Sequence, residues 1–241
     1  VIIHLKDLPV ALLLLSGVVF SIYAKKLTVP AAFTGLVCGL LIYVGAGYPG
    51  ILMLTIFFLG GTIATSWGSR KKMVLNRPGD SARRKSSQVL ANSGAATLMA
   101  LMMVIFRGYD DVLIVMLAAG LASALADTLS SELGVLYGSR FYNCITWKKD
   151  ERGLDGVISL EGTLIGIAGA TVIAIIYAAA EGFNAGFFII IGAGAAGNFS
   201  DSFLGASLER SSILNNDWVN FLSTLFAAVA ALLFLLLFCW F

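Results

Sequence analysis

Charge is the scarcest property of this sequence. Asp, Glu, Lys and Arg make up 12% of its 241 residues, about half the roughly 25% of a soluble domain, and mean hydropathy is +0.91. That balance excludes a water-soluble globular fold and reads as an integral membrane protein. Histidine is nearly absent: the one copy, His4, stands at the start of the chain, which argues against a histidine-based triad or zinc centre. The three cysteines, Cys38, Cys144 and Cys239, are far apart and form no CxxC, so neither a disulfide framework nor a zinc site is expected. A net charge of +2 is too small to suggest nucleic acid. There is no GxxxxGK[ST] phosphate loop, and no basic segment with a small-residue cleavage site precedes the first apolar run, which is expected to be a retained span.

What the chain does have is apolar length. Crossing a hydrocarbon core takes about 20 mostly apolar residues, and eight stretches approach or reach that length: about 8–23, 29–47, 49–66, 88–106, 112–137, 156–180, 185–208 and 218–241. The expectation is an all-α, polytopic helical bundle, residues 1–241 forming a single transmembrane domain with basic loops at 67–87 and 138–155. Assigning alternate connections to opposite sides puts fourteen of the sixteen Lys and Arg on one side, leaving Lys6 and Arg107 on the other. Cytoplasmic loops carry the basic excess in multi-span proteins, so both chain ends are expected outside. With no organelle transit segment evident, a prokaryotic plasma membrane is the expected location. Glycine numbers 26, and runs such as "IGIAGA" and "IGAGAAGN" space small residues for close helix packing.

An acid at membrane depth costs at least about 2.5–3.5 kcal/mol and so faces protein or a polar cavity. Asp127, Glu132, Glu161 and Asp201 all fall toward the basic side. In "ALADTLSSELG", Asp127 and Ser131 share a helical face with Thr128 beside them. Such oxygens suit a hard cation like Mg2+, which keeps waters and shares phosphates. In "GNFSDSFLGASLER", Asn198, Asp201, Ser202 and Gly205 line one face at intervals of three and four. Arg84, Gln88 and Asn92, four apart, carry one polar stripe from the basic loop into the membrane, a guanidinium for phosphate followed by two amides for base or sugar. "LDGVISLEGTLIG" adds Asp155, Ser159 and Glu161 among glycines that would permit a tight re-entry, and "LNNDWVNFL" adds Asn215, Asn216, Asp217 and Asn220. Salt bridges, helix-to-helix hydrogen bonds and, for Asp217, a helix cap are the structural alternatives for these residues.

Taken in order, "TSWGSRKK", "RKSSQVLANSG", "ADTLSSELG", "LDGVISLEGTLIG", "GNFSDSFLGASLER" and "LNNDWVNFLSTL" resemble the membrane family that holds the plant phytyl-phosphate kinase of vitamin E synthesis and the animal transmembrane protein nineteen. The resemblance covers about residues 30–230 and departs from the family's pattern at Trp67, Ser69 and Leu154. It implies a CTP-dependent kinase converting an isoprenyl monophosphate to the diphosphate. A more distant similarity to CTP-dependent phosphatidate cytidylyltransferases also points to CTP and Mg2+. By that analogy Asp127 and Asp201 hold the metal on the CTP phosphates. Glu132 and Glu161 support the metal or its waters, and Arg84 neutralises the lipid phosphate. Gln88, Asn92, Asp155, Ser159, Asn198, Ser202, Asn216 and Asp217 complete the binding set.

Two other reactions share these residues: cytidylyl transfer to a lipid phosphate, and phosphorylation of a free prenyl alcohol. An ion-coupled transporter also places acids in a glycine-rich bundle, but its site tends toward the midplane between inverted halves. Here the acids gather at one face, without a matching inverted half.

Overall fold

In lipid every backbone N–H and C=O must be satisfied within the protein, and this chain does so with helices. The computed structural model describes residues 7–74 and 83–238. Arg77 and Asp80 of the basic loop, with His4, Lys6 and Cys239, lie outside the described residues. The helices are α1 (Leu8–Tyr23), α2 (Val29–Ser66), α3 (Ser69–Val74), α4 (Ser86–Ile105), α5 (Asp110–Tyr137), α6 (Leu160–Glu181), α7 (Ala185–Leu204) and α8 (Asn216–Phe238). Among the described residues, six of these are long and apolar enough to cross a membrane, and α1 is a shorter apolar helix.

The 38-residue α2 accounts for two of the expected spans. Gly47 has φ 61° and ψ −151° inside it, a conformation essentially restricted to glycine, and Pro49 follows at the start of the next arm, where its missing N–H costs nothing. The chain reverses there. A Cβ on Gly39 would stand 3.4 Å from Ile51 Cδ1 and 3.7 Å from Leu54 Cδ2, while Lys26, just before the helix, donates to Ser66 Oγ at its end, 2.7 Å away. Two antiparallel arms, 29–46 and 48–66, thus stand where two separate spans were expected.

At the centre stands α5, in which every residue from Leu113 to Ala126 is buried. It packs against α2, α4, α6, α7 and α8, while α1 leans on α2 from outside. Small residues set the spacing. A Cβ on Gly134 of α5 would lie 2.9 Å from Gly162 Cα of α6, closer than any side chain tolerates, so these two helices touch backbone to backbone. Large apolar side chains such as Leu12, Leu15 and Val19 of α1 and Leu160 and Leu164 of α6 are exposed, as a lipid-facing surface requires.

Several boundaries differ from the expectation. Residues 156–159 are not helical, because Gly156 (φ 70°) turns the chain into a short strand, β2 (Val157–Ile158), paired antiparallel with β1 (Tyr142–Asn143). The polar start of α8 extends back to Asn216. Beyond Leu204, α7 widens into a π-helical turn, Gly205–Glu209. The basic loops gather at one end of the bundle. Arg84 reaches Thr65 at the end of α2, Arg152 reaches Gly138 after α5, and Arg210 follows the π turn.

Candidate functional site

That basic end holds a cavity of about 730 Å3, lined by α5 from Asp127 to Val135, the start of α6, the last turns of α7, the π turn and the start of α8. Arg84, Gln88 and Asn92 also line it. Each of these elements brings its polar residues at helical spacing, so one face of each helix opens to the cavity while the rest stays in apolar packing.

The acids meet across two helices. Asp127 of α5 and Asp201 of α7 face each other within hydrogen-bonding range, with Asp155 and Glu209 in electrostatic reach. Ser223 of α8 donates to Asp201 Oδ2 at 3.0 Å, and Ser130 donates to Asn198 Oδ1 at 3.1 Å, tying α5, α7 and α8 at one level. The hydroxyls of Thr128 and Ser131 donate back to helix carbonyls, Ala124 O at 2.9 Å and Thr128 O at 3.3 Å, so their oxygens remain acceptors. Carboxylates this close either share a proton or take a cation between them. Among the described residues no three His, Cys, Asp or Glu converge as a protein-only metal cage. The donor set suits a hard cation that takes one or two carboxylates and completes its shell with water and phosphate.

Of the residues singled out from sequence, Arg84, Gln88, Asn92, Asp127, Thr128, Ser131, Glu132, Asp155, Ser159, Asn198, Asp201, Ser202, Gly205, Asn216 and Asn220 line this cavity, whereas Glu161, Asn215 and Asp217 do not. Glu161 turns outward and accepts from Ser139 N (3.2 Å) and Ser139 Oγ (2.6 Å), so it fastens the end of α5 to the start of α6. Asp217 lies in the first turn of α8. The helix-capping contact beside it comes from Asn215 Oδ1, which accepts from Trp218 N at 3.1 Å. Ser159 reaches the cavity but serves as the N-cap of α6, accepting from Gly162 N. Glu132 is buried in an ion pair with Lys72, whose Nζ also donates to the terminal α2 carbonyls of Ala64 (2.8 Å) and Thr65 (3.3 Å). That pairing joins α3 to α5 and gives Glu132 a structural partner that sequence spacing alone did not suggest. Sequence reading also missed Ser223 and Glu209. Ser223 sits on an apolar helix with nothing local to mark it, and Glu209 is turned inward by the π turn, where the i→i+5 bonding shifts the helical face.

Residues 138–159 form a cap that lines part of the cavity through Phe141 and residues 153–159. Asn143 Oδ1 accepts from the backbone of Ile145 and Thr146, both at 3.0 Å, and Arg152 stacks over Phe141 at 4.6 Å. Gly156 is wedged so tightly that a Cβ would lie 2.4 Å from Ser202 O. Cys144 Sγ donates to that same carbonyl at 3.2 Å, and burial pushes its thiol above the ordinary value, which keeps it protonated. Arg210 is the clasp, with Nη1 on Asp150 Oδ2 at 2.9 Å and Nε on Asp155 O at 2.7 Å. The backbone N–H of Glu151 and then the Arg210 guanidinium hold the Asp150 carboxyl below the usual carboxylate range. A depressed folded pKa contributes stability that is complete above the unfolded value, about 3.9 for Asp, and is lost as pH falls through the lowered one. Limited proteolysis should therefore leave residues 139–158 intact from pH 5 to 8. Arg210→Ala should expose them at neutral pH; equal resistance in that variant would remove Arg210 as the clasp.

Residues 12–228 match the model of the integral membrane protein family DUF92. The chain belongs to that family. An uncharacterised membrane protein of Methanocaldococcus jannaschii is 32% identical over 197 residues, 82% of this chain and 81% of the relative. An uncharacterised membrane protein of Synechocystis is 28% identical over 223 residues, 88% of this chain and 84% of the relative. The chloroplastic protein VTE6 of Arabidopsis thaliana is 28% identical over 211 residues, covering 81% of this chain and 61% of the relative. No solved structure matches. The prokaryotic and plant relatives agree with the family expected from the six motifs.

Proposed function

We propose that this DUF92 protein is a CTP-dependent kinase that phosphorylates an isoprenyl monophosphate, of phytyl or geranylgeranyl type, to the diphosphate. The observation that carries the reading is a single cavity at the basic end of an apolar bundle, whose lining holds both the acid pair Asp127 and Asp201 and the stripe Arg84, Gln88 and Asn92. The motif resemblance to the phytyl-phosphate kinase family supplies the reaction class and CTP.

In this reading a lipid phosphate oxygen attacks the γ-phosphorus of CTP, the bond from that phosphorus to the β-bridging oxygen breaks, and CDP leaves. The nucleophile is already anionic near neutral pH, so the lack of a histidine in the cavity is no obstacle. Positioning and charge neutralisation carry the catalysis. Mg2+ would be held by Asp127 and Asp201 and would supply charge stabilisation on the CTP phosphates. Arg84 neutralises the acceptor phosphate, Gln88 and Asn92 orient it, and Asn198, Ser202, Asn216 and Asp155 bind the nucleotide side. The basic end faces the cytoplasm of a prokaryotic plasma membrane, with both chain ends outside.

The test is purified protein in detergent with CTP, Mg2+ and geranylgeranyl or phytyl phosphate, with products identified by mass. CDP and a lipid diphosphate are expected. Pyrophosphate with a CDP-lipid would replace the kinase by a cytidylyltransferase, and turnover of the free alcohol alone would change the acceptor. Solute uptake into sealed vesicles without nucleotide consumption would make the protein a transporter.

A further inference from the structure

Arg84, Gln88 and Asn92 have two sides. Beyond them lies a second cavity, about 320 Å3, bounded by α1, both arms of α2 and the start of α4, and it shares those three residues with the polar one. The rest of its wall is apolar, including Leu13, Val18, Leu36, Leu54 and Phe58. Its few hydroxyls are spent on their own helices: Ser16 donates to Leu13 O at 2.9 Å, Ser21 to Val18 O at 3.0 Å, Thr55 to Ile51 O at 2.7 Å and Ser93 to Val89 O at 2.7 Å. The groove thus offers little but hydrocarbon contact, up to the point where a guanidinium and two amides mark the edge of the acid-lined cavity.

We infer that this groove receives the isoprenoid tail of the acceptor, with the phosphate head at Arg84; the inference rests on the kinase reading for what happens to that head. Two adjoining cavities of opposite character, joined through three polar side chains, fit a ligand with one ionic and one apolar end. On α1 the lining runs from Leu13 to Ser21, about 12 Å at 1.5 Å per residue, well short of a hydrocarbon core of roughly 30 Å. Only the head-proximal part of a long tail is therefore gripped, and the remainder passes into the bilayer. Affinity should rise with tail length until the groove is filled and then level off.

Gly17 and Gly35 line the groove, and a Cβ built on either meets nothing within 4 Å. A larger side chain at these positions enters the groove without striking neighbouring helices at its root. Gly17→Leu and Gly35→Phe should each raise KM for geranylgeranyl phosphate about tenfold, the scale of a few buried methylene groups, while kcat/KM for dimethylallyl phosphate stays the same. Equal effects on both acceptors, or none on either, would overturn the assignment.

A second measurement needs no turnover: a diazirine-bearing geranylgeranyl phosphate, photolysed on the purified protein, should label groove residues of α1 and α2 and lose that label in Gly35→Phe. Labelling of the lipid-facing flank, insensitive to unlabelled competitor, would reject the groove. Groove labelling with no CDP formed from any prenyl phosphate would reject the kinase and keep the lipid site. CDP formation with labelling elsewhere would do the reverse.

Discussion

Asp127→Asn and Asp201→Asn should each lower CTP-dependent turnover by about a hundred- to a thousandfold, the scale on which losing one preorganised charge-stabilising group acts. The two acids belong to different helices yet face each other within hydrogen-bonding range, so on the proposed reading they hold one ligand cluster and their effects should not add. The double variant should be about as slow as either single one. Folding gives the contrasting readout. Neutralising one of two adjacent carboxylates removes a repulsion, so the thermal midpoint should hold or rise while activity collapses. Near-normal rates in both single variants would take these acids out of the reaction.

Replacing Glu132 by Leu should destabilise the protein by about 3–5 kcal/mol, because a buried Lys72 ammonium is left without its counter-charge. Side-chain exposures of 10% for Lys72 and 8% for Glu132 leave water little room to compensate. The pair Lys72→Met with Glu132→Leu should recover most of the loss, since removing both charges together also removes their desolvation cost. Unfolding in denaturant followed by tryptophan fluorescence measures this. If the single and double variants are equally destabilised, the ion pair is not what Glu132 contributes.

Periodicity made most of the site legible in the sequence. Arg84, Gln88 and Asn92 at intervals of four, and Asp201 and Ser202 three and four residues after Asn198, reach the same cavity because helical spacing alone fixes a face. The bend at Gly47 was legible too, since two apolar runs separated by glycine and proline read as two passes whether or not the helix is broken. Side-chain direction at helix starts was not legible. Glu161 and Ser159 sit two residues apart in one motif, yet Ser159 turns inward to cap α6 while Glu161 turns out to Ser139. The β1–β2 cap was equally hidden, because two-residue strands carry no alternation to detect and the Asp150 to Arg210 contact spans sixty positions. Lys72 looked like one more topology-setting cation until its contact with Glu132 and the end of α2 was seen.

The enclosure of α5 bears on how this protein can change. Of its most apolar stretch 83% is buried, against 28–39% in the other spanning helices, so α5 has no permissive side on which replacements can accumulate harmlessly. The alanines of that stretch are buried, whereas the outer helices keep a lipid face where almost any greasy residue will serve. In the proposed reading, variation in acceptor preference is thus free to arise at the periphery, on α1 and the arms of α2, while the shaft carrying Asp127 stays fixed.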